Sequence, residues 1–352
     1  MSSSNALRNI LFAPMEGVVN WHIRELYRAF GGVDASVTEF VRVTDHLLPE
    51  KVFYRYCPEL LEGNQLMPTR IQLLGSDPAA LAQNAQRAIS LGSPGVDLNF
   101  GCPAKSVNRH RGGACLLEEP ELIYRIVASI RDAVDPAYPV SVKIRLGYHT
   151  REDGLSVALA AQRAGAQELV IHARSKLDGY KPPAYWHLLK PIAEALTIPV
   201  VANGDIFSVQ DYKLCLEASG CKRVMLGRGL LARPDLARRI QHSQRKRVGL
   251  GEALESSDPV LEWKSLCPVL KQFFNTTYPL FPARFCGNRL KQWLAYLRLG
   301  YPEAQALFDT VKRLKDPVLI NAAIDTSISK NYDIGEQDER VIPKQASLPP
   351  AA

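Results

Sequence analysis

No apolar run in this 352-residue chain approaches the roughly 20 residues that a membrane-crossing helix needs. The opening MSSSNALRN also lacks the basic start and apolar core of a secretion signal, so the cytoplasm is the expected location and no membrane partner is expected. Cysteine is present but without pattern: Cys57, Cys102, Cys115, Cys215, Cys221, Cys267 and Cys286 form no CxxC pair and no zinc spacing. We therefore expect reduced thiols and no bound metal. A glycine-rich dinucleotide fingerprint is missing as well. Acids are scarce in one place: between Lys222 and Gly249, nine lysines and arginines stand against Asp235 alone. Such a run is either a solvated helix face or a track for a phosphate backbone. The net charge of +7 suggests an anionic partner without identifying it.

With 46% hydrophobic and 22% charged residues, the chain can bury a full core. Apolar, strand-like runs recur at 10–13, 35–41, 69–74, 96–99, 140–145, 169–172, 200–203 and 223–226. Helical spacing separates most of them, at 21–30, 77–91, 120–134, 153–164, 186–196 and 208–218. Eight such units predict a parallel sheet with helical crossovers, closed into a (β/α)8 TIM barrel, and several strands are apolar throughout, as burial on both faces requires. Residues 42–68 carry no clear helix and are expected to form an excursion over the barrel mouth. Past Arg247 no strand pattern returns; helical spacing at 259–275, 283–299, 303–314 and 318–325 predicts a small all-helical C-terminal domain. The expected boundaries are 1–247 for the barrel, 248–258 for a linker, 259–330 for the helical domain and 331–352 for a disordered tail. A monomer is expected.

The segment DLNFGCPAKSVNRHRGGACLL, residues 97–117, organises the rest. It starts as a strand and breaks at Gly101 and Pro103, which places Cys102 on a tight loop beyond the strand's carboxyl end, where barrel enzymes do chemistry. Proline fixes its own φ and biases the preceding residue towards extended geometry, so the backbone aims the thiol; Gly112 and Gly113 permit a mobile turn further on. Cys102 is thus either a positioned thiol or a loop cysteine without chemistry. Other strand ends carry Pro14, Met15 and Glu16, then Gln72, Asn99, Lys143, Arg145, His172, Asn203, Gly204, Asp205, Gly227 and Arg228. Glycines at the ends of strands 7 and 8, with Arg228, suit a phosphate. Lys143 inside a strand needs an anionic partner, which a flavin ring or a neighbouring acid could supply. Gln72 can both donate to and accept from a ring edge, and His172 is either a cofactor contact or a core histidine.

Taken together, the motifs APMEGV, RIQLLG, DLNFGCPAKSVN with GGACLL, VKIRLG, IHARSKLDGY, VANGDI and MLGRGLL, in this order over residues 10–325, resemble the tRNA-dihydrouridine synthases. These are flavin enzymes that reduce uridine in tRNA. NRLKQWLAYLR in the C-terminal part resembles their C-type subfamily, which acts on uridine 16. The resemblance implies a tightly bound FMN on Pro14, Met15, Glu16, Gln72, Lys143, Asn203, Gly204, Asp205, Gly227 and Arg228 with His172 beside it, and NADPH as a transient electron donor. It implies Cys102 as the catalytic acid, giving a proton to C5 of the uracil while reduced FMN gives a hydride to C6. It further implies tRNA contacts at Glu39, Asn99, Tyr180, Arg289, Lys291, Tyr296 and Lys312; the subfamily usually has arginine where Lys312 stands, and Ala173 replaces a frequent glycine. The barrel would then be the catalytic domain and the helical domain would grip tRNA. A small-molecule flavin oxidoreductase of the dihydroorotate or dihydropyrimidine dehydrogenase kind is the enzymatic alternative, and an RNA-binding barrel without catalysis the non-enzymatic one. The former gives no reason for a basic helical domain, and the latter no use for Lys143.

Overall fold

The eight apolar runs form eight strands in a computed structural model that describes residues 10–63, 67–247 and 260–330. They are β1 (Ile10–Phe12), β2 (Ala35–Arg42), β3 (Thr69–Leu74), β4 (Val96–Asn99), β5 (Val140–Gly147), β6 (Glu168–Ser175), β7 (Val200–Asn203) and β8 (Arg223–Leu226). Neighbours pair in parallel in sequence order, and β1 pairs with β8, so the sheet closes into a barrel. Closure puts both faces of each strand under cover, which is why β4 and β7 are buried at every residue. Leu11, Ala13, Ala35, Val37, Val170, Val201 and Met225 pack together inside.

Local chemistry starts the outer helices where the sequence places their caps. Asn20 accepts from Ile23 N ahead of Trp21–Phe30, Asp77 from Ala80 N ahead of Pro78–Ser90, and Ser208 from Asp211 N ahead of Val209–Ser219. The stretch expected over 186–196 divides into a 3-10 turn, Trp186–Leu189, and a helix, Lys190–Ala195. Pro191 suits the first turn of the second piece because its missing N–H would be unbonded there anyway.

The β2–β3 connection corrects one expectation. It contains a helix, Glu50–Tyr56, and a 3-10 turn, Pro58–Glu62. Phe53 and Cys57 bury against the barrel unit, and the fully buried Arg24 holds the segment, donating to Glu59 Oε1 at 2.8 Å and to the Tyr56 carbonyl at 2.6 Å. Those contacts are long-range, so a periodicity reading cannot register them.

The described residues group into two compact units divided between Gly229 and Leu230. The second contains the helices Leu236–Arg247, Trp263–Thr277, Asn288–Leu297, Pro302–Val311 and Pro317–Lys330. Its core includes Leu266, Leu270, Phe273 and Trp293, the last two meeting edge to face at 5.2 Å. The linker expected at 248–258 and the tail at 331–352 lie outside the described residues.

One buried ion cluster fastens three strands. Glu168, at the start of β6, accepts from Arg70 Nη1 of β3 and Arg223 Nη1 of β8, each at 2.7 Å. Glu168→Ala leaves two guanidinium groups without their carboxylate. It is expected to cost roughly 3 kcal/mol, at the low end for a broken buried pair because both arginines keep some solvent. Urea unfolding of the purified variant measures this.

Candidate active site

Strands have a two-residue side-chain period, so residues two apart share a face. Asp97 and Asn99 therefore point together from β4, Ser141, Lys143 and Arg145 from β5, and His172 and Arg174 from β6. Register aligns them across the barrel: Gln72 sits opposite Asp97, Asn99 opposite Lys143, Arg145 opposite His172 and His172 opposite Asn203. The polar residues singled out at the ends of separate strands converge on one rim.

Cys102 is held there through its own backbone. Its N–H and that of Gly101 donate to Asn99 Oδ1 at 2.9 and 3.0 Å, while its carbonyl accepts from Asn108 Nδ2 at 2.8 Å and Ala114 N at 3.0 Å. Arg145 Nε fixes the Gly101 carbonyl at 2.8 Å. The thiol is half-buried, and desolvation pushes its pKa up, with the Glu16 carboxylate adding to the rise against the pull of Arg145 and Lys143. It is a protonated thiol at neutral pH. Gly113 differs from the expected hinge: at φ +66° it lies so close to this loop that a Cβ would fall 2.7 Å from the Cys102 carbonyl oxygen.

Lys143 donates to Asn203 Oδ1 at 3.2 Å, its one hydrogen-bond partner among the described residues, and no carboxylate there lies at ion-pair distance. The salt bridge that was the alternative for this lysine is not formed, although the Asp97 carboxylate acts on it through its charge. Desolvation first and Arg145 second bring its pKa down to about 8. His172 Nε2 lies 3.2 Å from Arg174 Nη1, which can only donate, so Nε2 accepts and the ring proton sits on Nδ1. Burial, then the surrounding Arg145, Lys143, Arg174 and Arg228, hold this ring neutral.

At the ends of β7 and β8, Asp205 accepts from Arg174 Nη2 on one oxygen and from Arg228 Nη2 at 2.9 Å on the other. Its carboxylate thus orients Arg228, whose guanidinium lies 5.6 Å from the Tyr180 ring. Gly204 is forced by crowding: at φ +124° its Cβ would meet His172 Cδ2 at 3.0 Å. Glu39 is buried and accepts from Gly17 N at 2.6 Å. Glu16 is exposed as a residue, yet desolvation of its carboxyl and the Glu39 charge raise its pKa to about 7. Pro14 and Met15 lie half-buried beside it, and the Met15 sulfur would sit 3.3 Å from a Cβ at Gly227.

With this geometry in view, known proteins are informative. The family model described as dihydrouridine synthase (Dus) matches residues 11–284. The chain belongs to the dihydrouridine synthase family. A tRNA-dihydrouridine(16) synthase of Pseudomonas syringae pv. tomato is 46% identical over 87% of this chain and 95% of its own. One from Neisseria meningitidis serogroup A is 43% identical over 87% and 91%. Among solved structures, an old yellow enzyme homologue from Zymomonas mobilis aligns with a TM-score of 0.48 and 13% identity, over 67% of this chain and 88% of its own.

The candidate RNA contacts of this family member are placed unevenly. Tyr180 is 42% exposed at the rim, with its ring 5.9 Å from His172 and 5.1 Å from the Arg145 guanidinium. Asn99 is buried and engaged with Gln72 and the Cys102 loop. In the helical unit, Arg289 donates to Gln292 at 3.0 Å, Lys291 to the Leu314 carbonyl at 2.6 Å, and Lys312 to Asp309 at 2.7 Å, while Tyr296 is buried. The basic run is less free than its count suggests, since Arg223, Arg228 and Arg233 pair with Glu168, Asp205 and Asp235. The candidate set missed Arg174, a fully buried cation touching His172 and Asp205, and the carboxylate of Asp97. Both lie in phase with residues that were chosen, Arg174 with His172 and Asp97 with Asn99, which is the signal that could have found them.

Proposed function

We propose that this chain reduces a uridine of tRNA, the base at position 16, to 5,6-dihydrouridine, using FMN held at the barrel mouth and NADPH as the source of electrons. Family membership and relatives carrying the name tRNA-dihydrouridine(16) synthase support the reaction. The observation that carries it is a pinned, protonated thiol on the same rim as an ammonium that has no carboxylate at ion-pair distance among the described residues.

The donor set fits a flavin. Lys143 with Asn203 suits the electron-rich edge of its ring, the remaining Gln72 N–H suits a ring carbonyl, and Gly204, Gly227 and Arg228 suit its phosphate. When bound, reduced flavin supplies the hydride for C6 of the uracil. Cys102 holds the proton for C5, a task for which an ordinary carboxylic acid of pKa near 4 is already deprotonated. Solvent returns a proton to the sulfur after transfer. Tyr180 flanks the place a flipped base would enter, and Arg289, Lys291 and Lys312 supply positive charge for the grip on folded RNA, with Tyr296 buried on the helix that carries Arg289 and Lys291. Among the described residues no helix is long and apolar enough to cross a membrane.

The thiol and the lysine both set alkaline limits, and the lysine reaches its own first. With its pKa raised, Cys102 keeps its proton throughout the neutral range, whereas Lys143 loses its charge as pH rises through about 8. Flavin affinity of the cofactor-free protein is therefore expected to fall as pH rises past about 8, read by quenching of FMN fluorescence. Lys143→Met should bind FMN weakly at every pH and show no such limb. The reaction itself is tested by NADPH oxidation in the presence of unmodified tRNA: stimulation by tRNA and none by free uracil or dihydroorotate supports the reading, and the reverse pattern overturns it.

A further inference from the structure

Two backbone N–H groups, of Gly101 and Cys102, meet one oxygen, Asn99 Oδ1. An N–H can only donate, so this end of the amide is the acceptor and the other end must donate. Asn99 Nδ2 donates to Gln72 Oε1 at 2.8 Å, Gln72 Nε2 donates to Asp97 Oδ2 at 2.7 Å, and Asp97 Oδ1 accepts from Ser141 Oγ at 2.6 Å. All four side chains are buried, which keeps out water that could substitute for a missing partner. Each amide has one donating and one accepting end, so the series has a direction. It terminates on a carboxylate, and an ionised carboxylate only accepts. Thr38 Oγ1, accepting from Gln72 N at 3.0 Å, fixes the backbone from which the central amide projects.

We infer that Asp97 is a positioning residue: through Gln72 it sets the direction of the Asn99 amide, and so holds the Gly101–Cys102 segment and its thiol where the proton is delivered. The inference rests on the reading of Cys102 as proton donor. Arg145 grips the Gly101 carbonyl from the other side, so removing Asp97 loosens the N–H side of the loop without releasing the whole.

The test reverses the series and asks whether the loop follows. Residue-level hydrogen exchange of the Gly101 and Cys102 amides is measured in the full-length protein as purified, so the readout needs no turnover. Asn99→Asp puts acceptors at both ends of Gln72, which has one donating end, and amide protection is expected to fall about tenfold or more. Adding Asp97→Asn restores a consistent series in the opposite sense. The new amide donates to Gln72 Oε1, Gln72 Nε2 turns to the new carboxylate, and that carboxylate accepts the two backbone N–H groups. Protection should return to within about threefold of wild type. Asp97→Asn alone can keep the original direction, its oxygen on Gln72 Nε2 and its nitrogen on Ser141 Oγ, and should retain both protection and kcat within about threefold. Asp97→Ala cannot, and its kcat should fall about 10- to 100-fold with KM for tRNA unchanged, as a misplaced reacting group requires. A double variant as labile as Asn99→Asp, or a folded Asp97→Ala with wild-type protection and kcat, overturns the inference; if Asp97→Ala does not fold, the reversal decides alone. A wild-type protein that leaves tRNA unreduced refutes the proposed function and not the exchange result, whereas an unrescued double variant refutes the relay whatever the activity.

Discussion

Cys102→Ala is expected to lower dihydrouridine formation by about two to four orders of magnitude, the range over which a positioned general acid contributes, while flavin content and tRNA affinity stay at wild-type levels. The reason lies in how the loop is held. The bonds that fix residue 102 run through its N–H and its carbonyl, to Asn99, Asn108 and Ala114. Removing the sulfur therefore deletes the proton donor and leaves the backbone in place. A single-turnover assay with flavin reduced beforehand isolates the step from cofactor reduction by NADPH. Wild-type rates in that assay would remove the thiol from the mechanism.

The second large effect comes from a residue without a side chain. Gly113→Ala adds a methyl group 2.7 Å from the Cys102 carbonyl oxygen and 2.9 Å from the Cys102 Cβ, at a φ of +66°. The left-handed backbone alone costs about 1–2 kcal/mol. The contact is with backbone, which cannot swing aside as a flexible side chain would, so the Cys102 loop must shift. A displacement of about 1 Å at a reacting group costs on the order of 100-fold in rate. We expect kcat to drop by that order with a small loss of thermal stability and normal flavin content. Unchanged kcat would show that the loop tolerates the shift and that its position matters less than argued.

How far the sequence alone reaches can be judged residue by residue. The strands were legible because a closed parallel barrel buries both faces, leaving apolar runs such as Val200–Asn203 bounded by turn residues. Helix starts at Asp77 and Ser208 were legible because capping is local chemistry. The helix Glu50–Tyr56 was not, because what holds it is Arg24, distant in sequence and buried by tertiary packing. Within the site, strand-end position singled out Cys102, Lys143, His172 and Asn203, and the register sets Lys143 beside Asn99 and His172 beside Asn203. It could not show that Asp205 engages two arginines, that Gln72 and Asn99 face each other, or that Gly113 abuts Cys102, since each depends on which side chains meet across the barrel. The count of nine basic residues between Lys222 and Gly249 overstated the free charge for the same reason: pairing partners such as Glu168 lie elsewhere in the chain.

The most direct test of the account is to find where hydrogen is added. Unmodified tRNA is incubated with the protein, FMN and NADPH, digested, and mapped by mass spectrometry. The account predicts the addition of two hydrogens at uridine 16, the position in the names of the relatives, and with Cys102→Ala an addition slowed by about two to four orders of magnitude. Reduction of a free pyrimidine with every tRNA uridine left intact would contradict it.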